Sequence, residues 1–397
     1  MKATYSCMNF FKVLGLSLVA WLITSSASAA DPTTQPLLYS SDVEYLGSFK
    51  LPRPATGESS GSFDYGGMAL AIGADGQSLY VGGHKYNQSL GRVVIPQTLG
   101  GTATLIQKPV SVPGSVGSSG ANELSGAFVY HGRLIVQKRI TYDNSGGGKT
   151  HAVGSLNISG FSSFSRMANI NSAQFASGYM GPIPPEWQSL LGGPAFAGNS
   201  LMSIISLCSN GPSFFVFDPD DVGVKSPIPS TPLMYYPIDH PLADTTKAND
   251  LLSRADQYNA GIVFPPGTRS VLFFSRHGYG PHTYKQDYGC GGEQGEGAKP
   301  YRRQVTAFDA NDLLAVKNGT KQPYEIRPYT WWELSGPQDS CGKFQASGLA
   351  YDPATNRIYA ALYYGSNPQI HVWRVNAPIQ GQLPAPYNLK IMIPNQQ

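Results

Sequence analysis

Five times along the chain, a small residue and a glycine open a pair of short apolar strands. No other feature of the sequence restricts the fold as much. The copies begin at Gly66-Gly67 (MALAI, then SLYVGGH), Ser125 (GAFVYHGRLIVQKR), Gly193 (PAFAGNSLMSIISLC), Ala260 (GIVFPPGTRSVLFFSRH) and Ser347 (GLAYDPATNRIYAALYYG). Apolar runs of four to eight residues punctuated by Gly, Asp and Asn turns are the pattern of a β-meander. After the first copy comes GRVVIP, ending at Pro96. The others are followed by HAVGSLNIS from His151, PSFFVFD from Pro212, RRQVTAFD from Arg302 and QIHVWRV from Gln369. A fourth strand is marked by TATLIQK, FSSFSR, PLMYYP and YTWWEL, and the fifth copy has none.

A four-stranded sheet of this kind cannot bury both faces alone, so repeats of it stack around an axis as the blades of a β-propeller. The fourth strand missing at the C-terminal end is present near the N-terminus, as Val43-EYLGSFKLP. The expected fold is all-β: one propeller of five blades by repeat count, with the N-terminal strand closing the last blade. Six or seven blades would follow if the long loops supplied further strands. With first strands starting at 66, 126, 194, 261 and 348, the surplus length falls in loops, chiefly the Gly- and Tyr-rich excursion from Gly278 to Pro300. PPEWQSLL and ANDLLAVKNG read as two short helices, the first with Pro at its start.

Composition agrees. Of 397 residues only 13% are charged, whereas Gly (45), Pro (31) and Tyr (23) are abundant, which suits tight turns and short strands over amphipathic helices. Residues 1–30 read as a secretory leader: Lys2 and Lys12, the apolar run VLGLSLVAWLI, then Ala27-Ser28-Ala29 as a cleavage signal. The propeller is then expected over 31–397, in a secreted or periplasmic protein, monomeric and without a membrane span. Without the leader 26 basic residues face 25 acidic ones, and Tyr301-Arg302-Arg303 is the densest basic cluster, so nucleic acid is not the expected partner. Cys290 and Cys341, on loops of an exported chain, are the candidate disulfide, with Cys208 left over.

In a propeller blade the innermost strand begins, and the second strand ends, on one face of the disc. Three residues before the glycine step stand Asp64, Glu123, Leu191, Tyr258 and Gln345. After the second strand stand His84, then Lys138-Arg139 with Tyr142, then Cys208, Arg276-His277 and Tyr363-Tyr364. His151 opens a third strand on the same side, and Tyr279 belongs to the long excursion. Acids, histidines, arginines and tyrosines converging on one face of a chain this poor in charge form the functional signal, because loops on a rigid scaffold are where such groups act. Asp64 and Glu123 read equally well as turn-capping acids. His131 and His371 read as structural. No G-x-S-x-G, H-E-x-x-H, phosphate loop or EF-hand is present, and no cofactor or metal is required by the sequence.

The segments GGMALAIGADGQSLYVGGHKYNQ, SGYMGPIPPEWQSLLGGPAFAG, FPPGTRSVLFFSRHGYGP and QVTAFDANDLLAVKNG resemble a family of secreted bacterial proteins whose function is not established. The layout is also similar to propeller polysaccharide lyases of the ulvan-degrading type, which carry two histidines, a tyrosine and an arginine at such a face. His84 matches the second histidine and Arg139 the arginine. Asp64 stands in place of the first histidine and Glu123 in place of the tyrosine, with Tyr142 nearby.

The resemblance implies β-elimination on a uronate-containing polysaccharide, with Arg139 or Arg276 neutralising the carboxylate, His84 or His151 as base and Tyr142 as acid. Asp64, Glu123, Arg276, His277, Tyr279 and Tyr364 would then bind the substrate. The alternatives are a glycoside hydrolase using Asp64 and Glu123 as its carboxylate pair, and a propeller that binds glycan or protein without catalysis.

Overall fold

The strand Val43–Lys50 (β1) runs antiparallel to Gln369–Val375, from Val43 opposite Val375 to Lys50 opposite Gln369, and so joins the two ends of the chain in one sheet. This computed structural model describes Met1 and residues 31–53, 61–84, 87–114, 122–140, 148–170, 173–200, 208–244, 250, 252, 258–284, 296–338, 346–362 and 368–377. Residues Asp31–Gln397 make one unit.

Blade 1 is Leu70–Ile72 (β2), Ser78–Gly82 (β3), Ser89–Val94 (β4) and Leu105–Ser111 (β5), in that order from the axis. Blade 2 is Asn122–Tyr130 (β6), Arg133–Ile140 (β7) and His151–Ser155 (β8), with Ser165 bridged to His151 where a fourth strand was expected. Blade 3 is Tyr179–Pro182 (β9), Ala195–Gly198 (β10), Phe214–Phe217 (β11) and Ser230–Met234 (β12).

Blade 4 begins with Tyr258–Val263 (β13) and Ser270–Gly278 (β14). A small ribbon of Thr283–Tyr284 (β15) and Glu296–Gly297 (β16) follows, then Tyr301–Asp309 (β17) and Thr330–Glu333 (β18). Blade 5 is Ala346–Asp352 (β19), Arg357–Leu362 (β20) and Gln369–Val375 (β21), completed by β1. The inner strands β2, β6, β9, β13 and β19 touch in sequence, and β19 returns to β2, so the ring closes with five blades.

The core lies between blades, because strands here bury both faces. In β20, Ile358, Ala360 and Leu362 pack toward blade 4, whereas Tyr359 and Ala361 pack toward blade 1. This period of two is the alternation of a pleated strand. Five such clusters separate the five blades. The glycine steps make the close approach at the axis possible: a Cβ on Gly348 would overlap the carbonyl oxygens of Gly67 and Met68 of the next blade. The small residue before the glycine is bulged out of register in blades 2, 4 and 5, at Ser125, Ala260 and Ser347.

Both expected helices are present, Pro185–Leu191 (α1) and Ala310–Lys317 (α2), and Trp187, Leu191 and Leu313 anchor them between blades 3 and 4. One assignment is corrected. Gly193-PAFAG was expected at the axis, but it forms the second strand of blade 3, and β9 is the inner one. The step in this blade is therefore Ser177-Gly178, where a Cβ would overlap the Ser200 amide. The expected second strand at 201–208 falls largely on residues outside those described. So do the leader, Cys290 and Cys341; Cys208 is buried. Among the described residues, no helix is long and apolar enough to cross a membrane.

Candidate functional site

Backbone pairing brings most of the selected positions to one end of the blades. Glu123 stands opposite Arg139 across β6 and β7, and Tyr258 stands opposite Arg276 across β13 and β14, the equivalent place two blades on. In blade 1 the His84 amide donates to the Ser62 carbonyl at 3.1 Å, which sets His84 beside the turn carrying Asp64.

Arg139 joins three blades at the axis. Its Nε donates to Glu123 Oε2 at 2.8 Å, with Nη2 2.7 Å from the same oxygen. Nη1 donates to the Ser200 hydroxyl of blade 3, and Nη2 lies 3.9 Å from Met68 Sδ of blade 1. The pair is nearly dry, with the side chains 5% and 13% exposed. The belt continues into blade 4, where the Asn259 amide donates to the Ser200 carbonyl at 2.7 Å and its side chain to the Asn199 carbonyl at 3.3 Å. This end of the axis is a polar mouth built by four blades around one guanidinium. Arg139 holds Glu123 through a charge-assisted pair of contacts to Oε2.

Outside that belt lies a more open patch. The Asp64 side chain is 25% exposed and faces Arg53 at 3.8 Å. Tyr65 beside it is exposed, at φ 53°, a left-handed conformation uncommon for a residue with a side chain. The His84 ring meets the Tyr65 ring edge-on at 5.5 Å between centroids.

The remaining candidates are not brought to this mouth in usable form. His151 is fully buried on β8, where Gln137 Nε2 donates to its Nε2 at 2.7 Å and its Nδ1 lies 2.8 Å from the Thr150 hydroxyl. Gln137 also donates to the Ala176 carbonyl, so the amide orientation makes His151 Nε2 the acceptor. Both ring nitrogens are thus engaged inside the blade. His277 is equally buried and donates from Nε2 to the Asp250 carbonyl at 2.7 Å. Arg276 lies over the Tyr301 ring at 4.3 Å, and Tyr279 carries the Arg302 guanidinium at 4.9 Å. Lys138, adjacent to Arg139, points the other way and donates to the Val112 carbonyl at 2.8 Å; burial pulls its pKa down to about 8. Tyr142 and Tyr364 lie outside the described residues.

The buried histidines make a testable statement about pH. Burial of the His151 ring lowers its pKa from 6.5 to about 3, and burial with the Arg303 charge lowers that of His371 to about 4. The unfolded chain therefore binds these protons at higher pH than the folded one. Their contribution is complete above about pH 6.5 and is lost as pH falls toward 3 or 4. In urea titrations, unfolding midpoints are expected to drop between pH 6.5 and 4, less steeply in His151→Gln. Equal slopes in the two proteins would exclude His151 as a source.

Sequence reasoning missed Tyr65, Asn199, Ser200, Asn259 and Met68. The signal for Ser200 was available: taking Ser177-Gly178 as the step makes β10 a second strand, and Asn199-Ser200 then falls after it, as Arg139 and Arg276 do in their blades. Tyr65 sits between Asp64 and Gly66-Gly67, where a turn residue was expected.

Fold and site together define a five-bladed propeller with a polar axial mouth on the face where the inner strands begin. The sequence matches no protein-family model and no curated protein. Among solved structures, a glycosyl hydrolase from Bacteroides ovatus is similar over 85% of this chain and 92% of its own, at 14% identity and a TM-score of 0.45. An exo-1,5-α-L-arabinanase from a bovine ruminal metagenomic library is similar over 78% and 94%, at 10% identity and a TM-score of 0.39. The periplasmic gluconolactonase of Pseudomonas aeruginosa is similar over 78% and 73%, at 10% identity and a TM-score of 0.33. At such identities no site residue is carried across, and the chemistry rests on the geometry above.

Proposed function

We propose that this is an exported carbohydrate-active propeller, and specifically a glycoside hydrolase working at the axial mouth with Asp64 and Glu123 as its carboxylates. One observation carries the reading: an accessible carboxyl and an exposed tyrosine ring lie at the same end of the blades as a carboxylate held by a buried arginine. Glycoside hydrolysis needs two carboxyl groups flanking the scissile bond, one giving a proton to the leaving oxygen and one facing the developing positive charge. Glu123 already accepts from Arg139 and is assigned the second role, with Arg139 as its positioning residue. Asp64, reached by solvent, is assigned the proton transfer. Tyr65 offers an apolar ring face for a sugar, with His84 at its edge.

β-Elimination fits less well. It needs a cation left over for the uronate carboxylate and a base with an accessible nitrogen. Arg139 spends its guanidinium on Glu123 and Ser200, and both nitrogens of His151 are engaged in the blade interior, so this reading falls back on Arg276, stacked on Tyr301, and on the half-buried His84.

The test is incubation of the protein with a panel of neutral and acidic polysaccharides, following reducing ends and ultraviolet absorbance of unsaturated uronates in parallel. Reducing ends without ultraviolet gain are expected, and Asp64→Asn and Glu123→Gln should each cut the rate by about 10²–10⁴. Ultraviolet gain would establish a lyase instead. Glycan retention without either signal would establish a binding propeller.

A further inference from the structure

We infer that the opposite end of the axis carries a second binding site, for a small apolar molecule. Where the inner strands end, all five blades enclose a cavity of about 290 Å³. Its wall includes Leu70 and Ile72 of blade 1, Phe128 of blade 2, Phe196 of blade 3, Ile262 of blade 4 and Leu349 of blade 5. Among the described residues no charged side chain lines it, and the polar side chains in the wall are two tyrosines, Tyr130 and Tyr351. The Tyr351 hydroxyl is already spent on Asn356 Oδ1 at 2.6 Å, which leaves Tyr130 as the polar handle.

Two features separate this space from a packing defect. Interiors close-pack and rarely leave voids larger than a water molecule, whereas a dry cavity of about 150 Å³ lined by Leu, Ile and Phe suffices to bind benzene. This cavity is about twice that size and has the same kind of lining. It also opens to solvent: Ile72, Phe128, Val129, Tyr130, Pro182 and Pro353 in its wall are half-exposed, so four of the five blades place apolar surface at an open mouth. The packing also fixes one ring of the wall in place. Phe196 lies across Gly181, where any Cβ would collide with its ring.

The ligand class follows from volume and lining. An uncharged molecule of about ten carbon atoms, such as two fused aromatic rings, fills the space, and a single hydroxyl on it can meet Tyr130. Charged sugars and free carboxylates are excluded, because the wall offers no group to pair with them. The site lies at the other end of the axis from Glu123 and Arg139 and does not depend on what those residues do.

Titration calorimetry of the full protein with 2-naphthol tests the inference. One-to-one binding with a negative heat-capacity change is expected, together with a raised melting temperature. Ala127→Leu, which fills the cavity from within, and Ile72→Trp, which obstructs its mouth from a half-exposed position, should each weaken binding about tenfold or more. Asp64→Asn should leave it unchanged. If Ala127→Leu fails to fold, Ile72→Trp decides. Absence of binding to the native protein overturns the inference, as does binding that Ile72→Trp leaves intact.

Discussion

A protein lacking residues 31–52 is expected to lose its cooperative melting transition altogether. The deleted stretch contains β1, the outer strand of blade 5 and the clasp of the ring, and with it Leu38, Val43, Phe49 and Leu51, each at most 6% exposed. Burial of a large aliphatic or aromatic side chain is worth about 1.5–3 kcal/mol, so these four account for roughly 6–12 kcal/mol. That is comparable to the about 5–15 kcal/mol that holds a whole domain together.

The deletion also exposes the edge of β21, an invitation to aggregate. Within the clasp, Phe49→Ala alone should cost about 3–5 kcal/mol. Glu44→Ala, which removes an ion pair to Arg374 whose side chains are both more than half exposed, should cost well under 1 kcal/mol. Circular-dichroism melts check all three. A deletion variant that still melts cooperatively within a few degrees of the parent would mean that the ring does not depend on its clasp.

The second large effect concerns the axial ion pair. Glu123→Ala leaves the Arg139 guanidinium buried with, among the described residues, the Ser200 hydroxyl and a thioether beside it, an uncompensated charge that costs about 3–5 kcal/mol. Replacing both partners by apolar residues, as in Glu123→Leu with Arg139→Met, removes the stranded charge and should recover much of that loss. Under the hydrolase reading, neither variant should turn over substrate. Urea unfolding of Glu123→Leu, Arg139→Met and the double gives the coupling directly. Additivity within about 0.5 kcal/mol would mean that the pair does not act as a unit.

The two effects differ in how far they could be read in advance. Strand content, the count of five and the N-terminal clasp were all legible in the sequence. Each depends on local chemistry: apolar runs too short for helices, Gly and Asp at the turns, and a fourth strand missing from one end of the chain but present at the other. The place of Asp64, Glu123 and His84 at one end of the blades followed from strand direction alone. Both helices were legible because proline opens one and an aspartate caps the other.

Tertiary structure decided what local pattern leaves degenerate. PAFAG is buried on both faces and reads the same whether it is the first strand of a blade or the second. Only the packing of the four-residue β9 against its neighbours in the ring assigned the axis, and this moved Asn199 and Ser200 into the site. His84 and His151 look alike in sequence, each at a strand end. The register that sets His151 opposite Gln137 turns its ring inward among bonded partners. Lys138 and Arg139 are adjacent, and one residue of pleat sends one to a carbonyl of blade 1 and the other to the axis. The apolar cavity had no signature at all, because it belongs to no single repeat. Its wall exists only where the ends of five inner strands meet.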